Sequence, residues 1–281
     1  MYDELELKRF ALQIRVGIVK AIGAKGGGHI GGSLDLAELF AVLYSRYMRV
    51  HPSEPDWEER DYLICSKGHA GPAWYATLAL KGFFPYEFLY TLNQEGSKLP
   101  GHCDRMKVPG VDATTGSLGQ GLSLAAGVAL GSKLTNSDRR IFCITGDGES
   151  AEGQIWEAAQ FAAHYKLDNL VAFLDWNKMQ IDGCVEDVMS IGDPMKKYEA
   201  FGWNACMVDG SDVSVISKAV REALERKNGK PSMIVLDTVK GAGVQCVSKL
   251  ENNHCIGFSK EMLNQSLADL KDLALELGVE I

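Results

Sequence analysis

An aspartate between two glycines, Gly146-Asp147-Gly148, ends one apolar run and precedes a stretch with helical spacing. Asn177 follows the next apolar run, with 28 residues between it and Gly148, about what a helix and a return strand require. A carboxylate, a carboxamide and nearby loop carbonyls are hard oxygen donors of the kind Mg²⁺ or Ca²⁺ takes. Gly146 and Gly148 let the backbone approach a ligand closely, and the free N–H groups of a helix beginning near Ala151 suit an anion. Together these features ask for a metal-bridged diphosphate, although Gly-Asp-Gly also occurs as an ordinary turn. Three of the six histidines follow a glycine: Gly28-His29, Gly68-His69 and Gly101-His102. Any one of them reads equally as a surface or core histidine. Three such loops point to one polar cavity, where imidazoles can take and return protons near neutral pH.

The elements that must position these residues follow from periodicity. Helical spacing runs over 5–23, 34–48, 152–166, 193–201 and 213–227, and residues 259–279 read as a closing helix. Continuous apolar strands fall at 61–66, 140–145, 169–175, 203–208 and 232–238. Apolar strands alternating with helices predict an α/β fold, a mostly parallel sheet with helices on both faces and right-handed crossovers. Ligands bind such sheets beyond the carboxyl ends of the strands, so Asp147 and Asn177 leave the same edge. No repeat or low-complexity linker divides the chain. Residues 1–281 are expected to form a single diphosphate-binding domain, with 240–281 as a C-terminal extension.

Composition narrows the partners. The chain has 281 residues, a net charge of −8 and a pI near 5.3, with no long basic run, which argues against nucleic acid or an anionic membrane. The acidic, amphipathic start does not read as a signal peptide, and no apolar stretch is long enough to span a bilayer. Seven cysteines without a Cys-x-x-Cys pair fit reduced thiols, so a cytoplasmic protein is expected.

The motifs "GHIGGSLDLAELF", "LICSKGHA", "LPGHCD", "TTGSLGQGLSLAAGVAL", "GDGESAEGQIWEAAQFAAHYKLDNL", "DWNKMQIDG" and "TVKGAGV" occur in the order seen in transketolases. Gly-Asp-Gly with a later Asn is the general thiamine diphosphate motif; the Gly-His loops and "TTGSLGQG" resemble transketolases within that group. The resemblance covers about residues 10–257. It implies a thiamine diphosphate-binding fold, with Mg²⁺, or Ca²⁺ in its place, held by Asp147, Asn177 and the carbonyl of Met179. Gly148 would contact the diphosphate, and His69, Gly116, Ser117, Leu118, Glu149 and Ile181 would belong to the cofactor site. His29 and His102 match histidines that meet the sugar oxygens. His254 would be a further diphosphate-side or proton-shuttling histidine. Glu152 is either the acid that couples two active sites across a subunit interface or a helix-start carboxylate stabilised by the helix dipole.

The family's pyrimidine-binding and C-terminal domains do not appear in this sequence. The resemblance therefore implies an N-terminal subunit that transfers a two-carbon ketol unit from a ketose to an aldose only with a partner chain, two copies of each. A deoxyxylulose phosphate synthase-like carboligase and a noncatalytic cofactor-binding regulatory subunit are the rival readings. Ile30 and Ser117 stand where the family usually has proline, and Ala242 and Gln245 alter its Lys-Gly-Lys-Gly-Val-Ser neighbourhood. The lost prolines change loop stiffness rather than functional groups, and they hint at a branched or otherwise modified sugar.

Overall fold

Five apolar runs build one parallel sheet: β1 (Tyr62–Cys65), β2 (Ile141–Gly146), β3 (Leu170–Trp176), β4 (Asn204–Asp209) and β5 (Ser232–Asp237), in the order β1-β2-β3-β5-β4. The computed structural model describes residues 3–280. In the register Gly146 lies beside Asp175 and Trp176 beside Asp237, so β2, β3 and β5 end together along one edge. The apolar side chains alternate between faces, as the pleat demands. Phe142, Ile144, Val171, Phe173, Ile234 and Leu236 belong to one core; Ile141, Cys143, Leu170, Ala172, Met233 and Val235 belong to the other.

Helices cover both cores. The first is closed by α1 (Glu4–Lys25), α2 (Ala37–Val42), α3 (Gly71–Leu80), α7 (Val213–Glu225) and α8 (Lys260–Leu277). The second is closed by α4 (Gln120–Leu134), α5 (Gly153–His164) and α6 (Pro194–Ala200). The start of α1 is set by a capping box between Asp3 and Glu6, and its end by Gly26 at φ 82°, a left-handed conformation that glycine adopts without strain.

One expected helix is broken. Over 34–48 the chain instead forms a short helix at Gly31–Leu34, then α2, then a widened turn at Leu43–Tyr47. The break falls at Asp35 and Leu36, where the Asp35 carboxylate accepts from Gly241 and Asn177 of two distant loops. Tertiary hydrogen bonds compete there with the periodic pattern.

Residues 244–279 contribute to the first core. Leu270 is fully buried, a side chain at Gly23 would collide with Leu263 of α8, and Gly27–Gly28 pairs antiparallel with Ile256–Gly257. Among the described residues no helix is long and apolar enough to cross a membrane. Leu270→Ala leaves a cavity under α1 and is expected to cost about 2–5 kcal/mol, read as a lowered denaturation midpoint with an unchanged slope.

Candidate functional site

Four imidazoles converge above the carboxyl edge. His29 follows the Gly27–Gly28 strand, His69 lies on the turn after β1, His102 comes from the long connection between α3 and α4, and His254 precedes the Ile256–Gly257 strand. The His29 ring lies 5.4, 5.3 and 5.3 Å from those of His69, His102 and His254, and His69 lies 4.8 Å from His254. The antiparallel pairing of 27–28 with 256–257 is what brings His254 to His29. Gly68 is needed where β1 ends, because a Cβ there would fall 2.4 Å from the Thr115 carbonyl oxygen of the loop beside His102. That loop is tied down by Cys103 N–H donating to the Gly68 carbonyl and by the Thr115 hydroxyl donating to the Cys65 carbonyl.

Burial favours the neutral form of three of these rings. His254 is pushed down to about 4 by burial and by the Lys240 ammonium. His69 is driven well below the usual imidazole range by burial and by Lys67, and His29 is lowered by burial and by His102. A neutral imidazole has one donor and one acceptor nitrogen, so each can hold a hydroxyl and accept its proton.

The oxygen corner lies at the other end of the same cavity, whose volume is about 410 Å³. Asp147 follows β2 and accepts from the N–H groups of Gly148 and Lys178 at 2.7 and 2.5 Å. Asn177 follows β3; its Oδ1 accepts from Met179 N–H at 3.0 Å. The Met179 carbonyl accepts from the Lys240 ammonium at 3.0 Å, so a cation already sits against it. Burial and the nearby Asp175 push the Asp147 carboxyl up to about 6, so this acid gains from a further positive charge. Among the described residues no three His, Cys, Asp or Glu side chains group as a metal cage. The donor set of one acid, one amide and one carbonyl would fit a hard cation that takes its remaining oxygen ligands from outside the protein. A second groove of about 770 Å³, sharing His29 and His102, opens from the imidazole end.

Beneath the corner lies a buried polar layer. Lys67, after β1, is ion-paired with Asp175 in β3, spanning β2, and both are almost fully buried. Burial alone would lower Lys67, but Asp175 and Asp35 hold it above its usual range. Asp175 also accepts from the Thr238 hydroxyl at 2.6 Å and from Asn177 Nδ2 at 3.0 Å. Alongside, Glu149 accepts from the Ser66 hydroxyl, Gly119 N–H and Gly146 N–H, pinning the start of α4 to the end of β2.

The expected site residues therefore divide. His29, His69, His102, His254, Asp147, Gly148, Asn177, Met179, Gly116, Leu118 and Ile181 all line the one cavity. Glu149 borders it too, but both its carboxylate oxygens are engaged by the protein. Ser117 is exposed and lies off the wall between Gly116 and Leu118. Glu152 is exposed at the rim, just before α5, and its side chain does not cap that helix. Sequence reasoning passed over Lys67, Asp175, Asp35 and Lys240. A charge at the end of an apolar strand, as in "NLVAFLD", was the available signal for Asp175.

The family described as "Transketolase, thiamine diphosphate binding domain" matches residues 7–269. The 6-deoxy-6-sulfo-D-fructose transketolase subunit SqwG of Clostridium sp. (strain MSTE9) is 47% identical over 96% of this chain and 98% of its own length. An apulose-4-phosphate transketolase subunit from Actinobacillus succinogenes is 39% identical over 96% of this chain and 97% of its own. The crystal structure of Campylobacter jejuni transketolase superposes with a TM-score of 0.88 at 30% identity, over 100% of this chain and 44% of that one. This chain thus spans less than half of that transketolase.

The raised carboxyl of Asp147 sets a pH dependence. Protons would compete with a cation held there, so any Mg²⁺-dependent cofactor affinity should fall about tenfold per pH unit below about pH 6 from this group alone. Without the cation the sign for folding is the reverse: the folded value lies above the unfolded one, so the group's contribution to stability is full below about pH 4 and is lost as pH rises through about 6. Calorimetric titration with Mg²⁺ and thiamine diphosphate from about pH 7.5 to 5 checks the first point; affinity that stays flat would contradict it.

Proposed function

The chain belongs to the transketolase family as its thiamine diphosphate-binding part, a subunit of a transferase, and from that premise we propose how it works. Residues 1–281 act as one diphosphate-binding domain, 240–281 included, and a separate chain supplies the pyrimidine-binding and C-terminal domains, two copies of each forming the enzyme. Two relatives named as subunits, matched over nearly their whole lengths, support the division. We place the assembly in the cytoplasm, a reading supported by cysteines that are all unpaired thiols.

The observation that carries the reading is the joining of four imidazoles to an Asp147–Asn177 oxygen corner in one cavity. Asp147, Asn177 and the Met179 carbonyl would hold Mg²⁺, and Gly148 would meet the diphosphate. His69, Gly116, Leu118 and Ile181 would line the cofactor. When bound, thiamine diphosphate supplies the carbon nucleophile and the electron sink for carbon–carbon cleavage. The protein's part is to orient, exclude water and move protons. His29 and His102, shared with the outer groove, are placed to hold the sugar hydroxyls and take their protons as charge shifts. His254, 3.3 Å from the Lys240 ammonium through Nδ1, is kept neutral and can accept a proton beside His69. Glu152, exposed at the rim, is free to meet the partner chain.

The substrate is a ketose donor and an aldose acceptor. We favour a modified sugar, because the similar subunits are named for a sulfo-sugar and for apulose 4-phosphate and because Ile30 and Ser117 replace usual loop prolines.

Turnover should appear only when the purified chain is mixed with its partner, and Asp147→Ala should abolish both Mg²⁺-dependent cofactor binding and ketol transfer in that mixture. Ketol transfer releases no CO₂, whereas pyruvate consumption with CO₂ release would show the deoxyxylulose phosphate synthase-like alternative. Partner binding and biological effect that survive Asp147→Ala would show a regulatory subunit.

A further inference from the structure

We propose that Asp35 is a positioning residue of the oxygen corner: with Asp175 it fixes the Asn177 carboxamide so that its oxygen, not its nitrogen, faces the cation. The inference rests on Asn177 being a metal ligand, as proposed for the site.

A carboxamide is nearly symmetric in shape, and its neighbours decide which end points where. Asn177 Nδ2 donates to Asp35 Oδ2 at 3.0 Å and to Asp175 Oδ2 at 3.0 Å. Two donor hydrogens thus meet two carboxylates. The Asp175 carboxylate, ion-paired with Lys67, only accepts, so the flipped amide would set Oδ1 against it at hydrogen-bond distance. The observed orientation leaves Oδ1 with the Met179 N–H and the cavity.

Asp35 reaches further than Asn177. Its Oδ1 accepts from Gly241 N–H at 2.7 Å, next to Lys240, whose ammonium lies on the Met179 carbonyl. One carboxylate therefore joins the loop after His29, the loop bearing two of the three oxygen donors, and the loop bearing Lys240. At 2% exposure it acts only through these neighbours.

Stability does not explain the acid. Burial and the neighbouring Asp175 push the Asp35 carboxyl well above its usual range despite the buried Lys67 and Lys240 nearby, so keeping a second acid here is unfavourable for folding. Orientation of a ligand is the benefit that offsets it.

The test uses the full chain, alone and with its partner, as Asp35→Asn and Asp35→Ser. Three quantities are measured: Mg²⁺ affinity at saturating thiamine diphosphate, Ca²⁺ affinity under the same conditions, and the melting temperature of the metal-free chain. Mg²⁺ affinity should fall about 10- to 100-fold. Ca²⁺ affinity should fall less, because Ca²⁺ tolerates irregular geometry that Mg²⁺ does not. The metal-free melting temperature should stay level or rise. An Mg²⁺ affinity within threefold of the parent overturns the proposal, as does equal weakening of both cations with a falling melting temperature, the mark of a scaffold residue. Asn177→Asp supplies a check that does not depend on one variant: its Mg²⁺ affinity should improve when Asp35→Asn is added, and independence of the two changes counts against coupling. A parent chain that binds thiamine diphosphate with neither cation, with or without partner, instead removes the functional reading itself.

Discussion

The ion pair of Lys67 with Asp175 is the constraint around which the site is arranged. It crosses β2 at the carboxyl edge and fastens the end of β1 to the end of β3. Both groups are out of water, where an unpaired charge costs several kcal/mol, so their remaining hydrogen-bonding capacity has to be met by protein. Thr238 and Asn177 meet it for Asp175. The loops after β1, β3 and β5 are thereby held in one relation to each other. His69, two residues beyond Lys67, and Asn177, two beyond Asp175, take their places from the same pair.

Above this layer the electrostatics reverse. Beneath, Lys67 is ion-paired with Asp175, whereas three of the imidazoles in the cavity are pushed toward neutrality by burial, and His69 and His254 also by lysine ammonium groups. Neutral rings side by side repel little, which allows His29, His69 and His254 to lie within 5.4 Å of one another. The same lysines that stabilise the acids therefore tune the histidines. Glu149 performs a parallel task at the second core, where its bonds to Ser66, Gly119 and Gly146 hold the 116–121 turn close enough that a side chain at Gly121 would overlap Ser66.

The departures from the family pattern fall outside the reacting groups. Ile30 is fully buried in the first core, where it contributes apolar contact, and Ser117 is exposed beside the cavity wall. Neither adds a charged or proton-transferring group. Differences of this kind alter loop stiffness, because proline fixes the backbone but carries no functional group.

Much of the molecule was determined locally and could be read from the chain. Strands β1, β2, β3 and β5 are apolar on both faces, as a covered parallel sheet requires, and β2 and β3 place Asp147 and Asn177 beyond one edge. The Gly-His pairs disclosed His29, His69 and His102, and at Gly68 the glycine is required by the close approach of the Thr115 carbonyl. What the sequence could not reveal was pairing between residues far apart. Lys67 with Asp175 are 108 positions apart, and Asp35 with Gly241 are 206 apart. Residue type alone does not distinguish a buried charge from a solvated one; its partners do, and only the folded chain brings them together. The break in the helix at Asp35 and the delivery of His254 by the 27–28 and 256–257 pairing have the same origin, in long-range hydrogen bonds that outweigh local spacing.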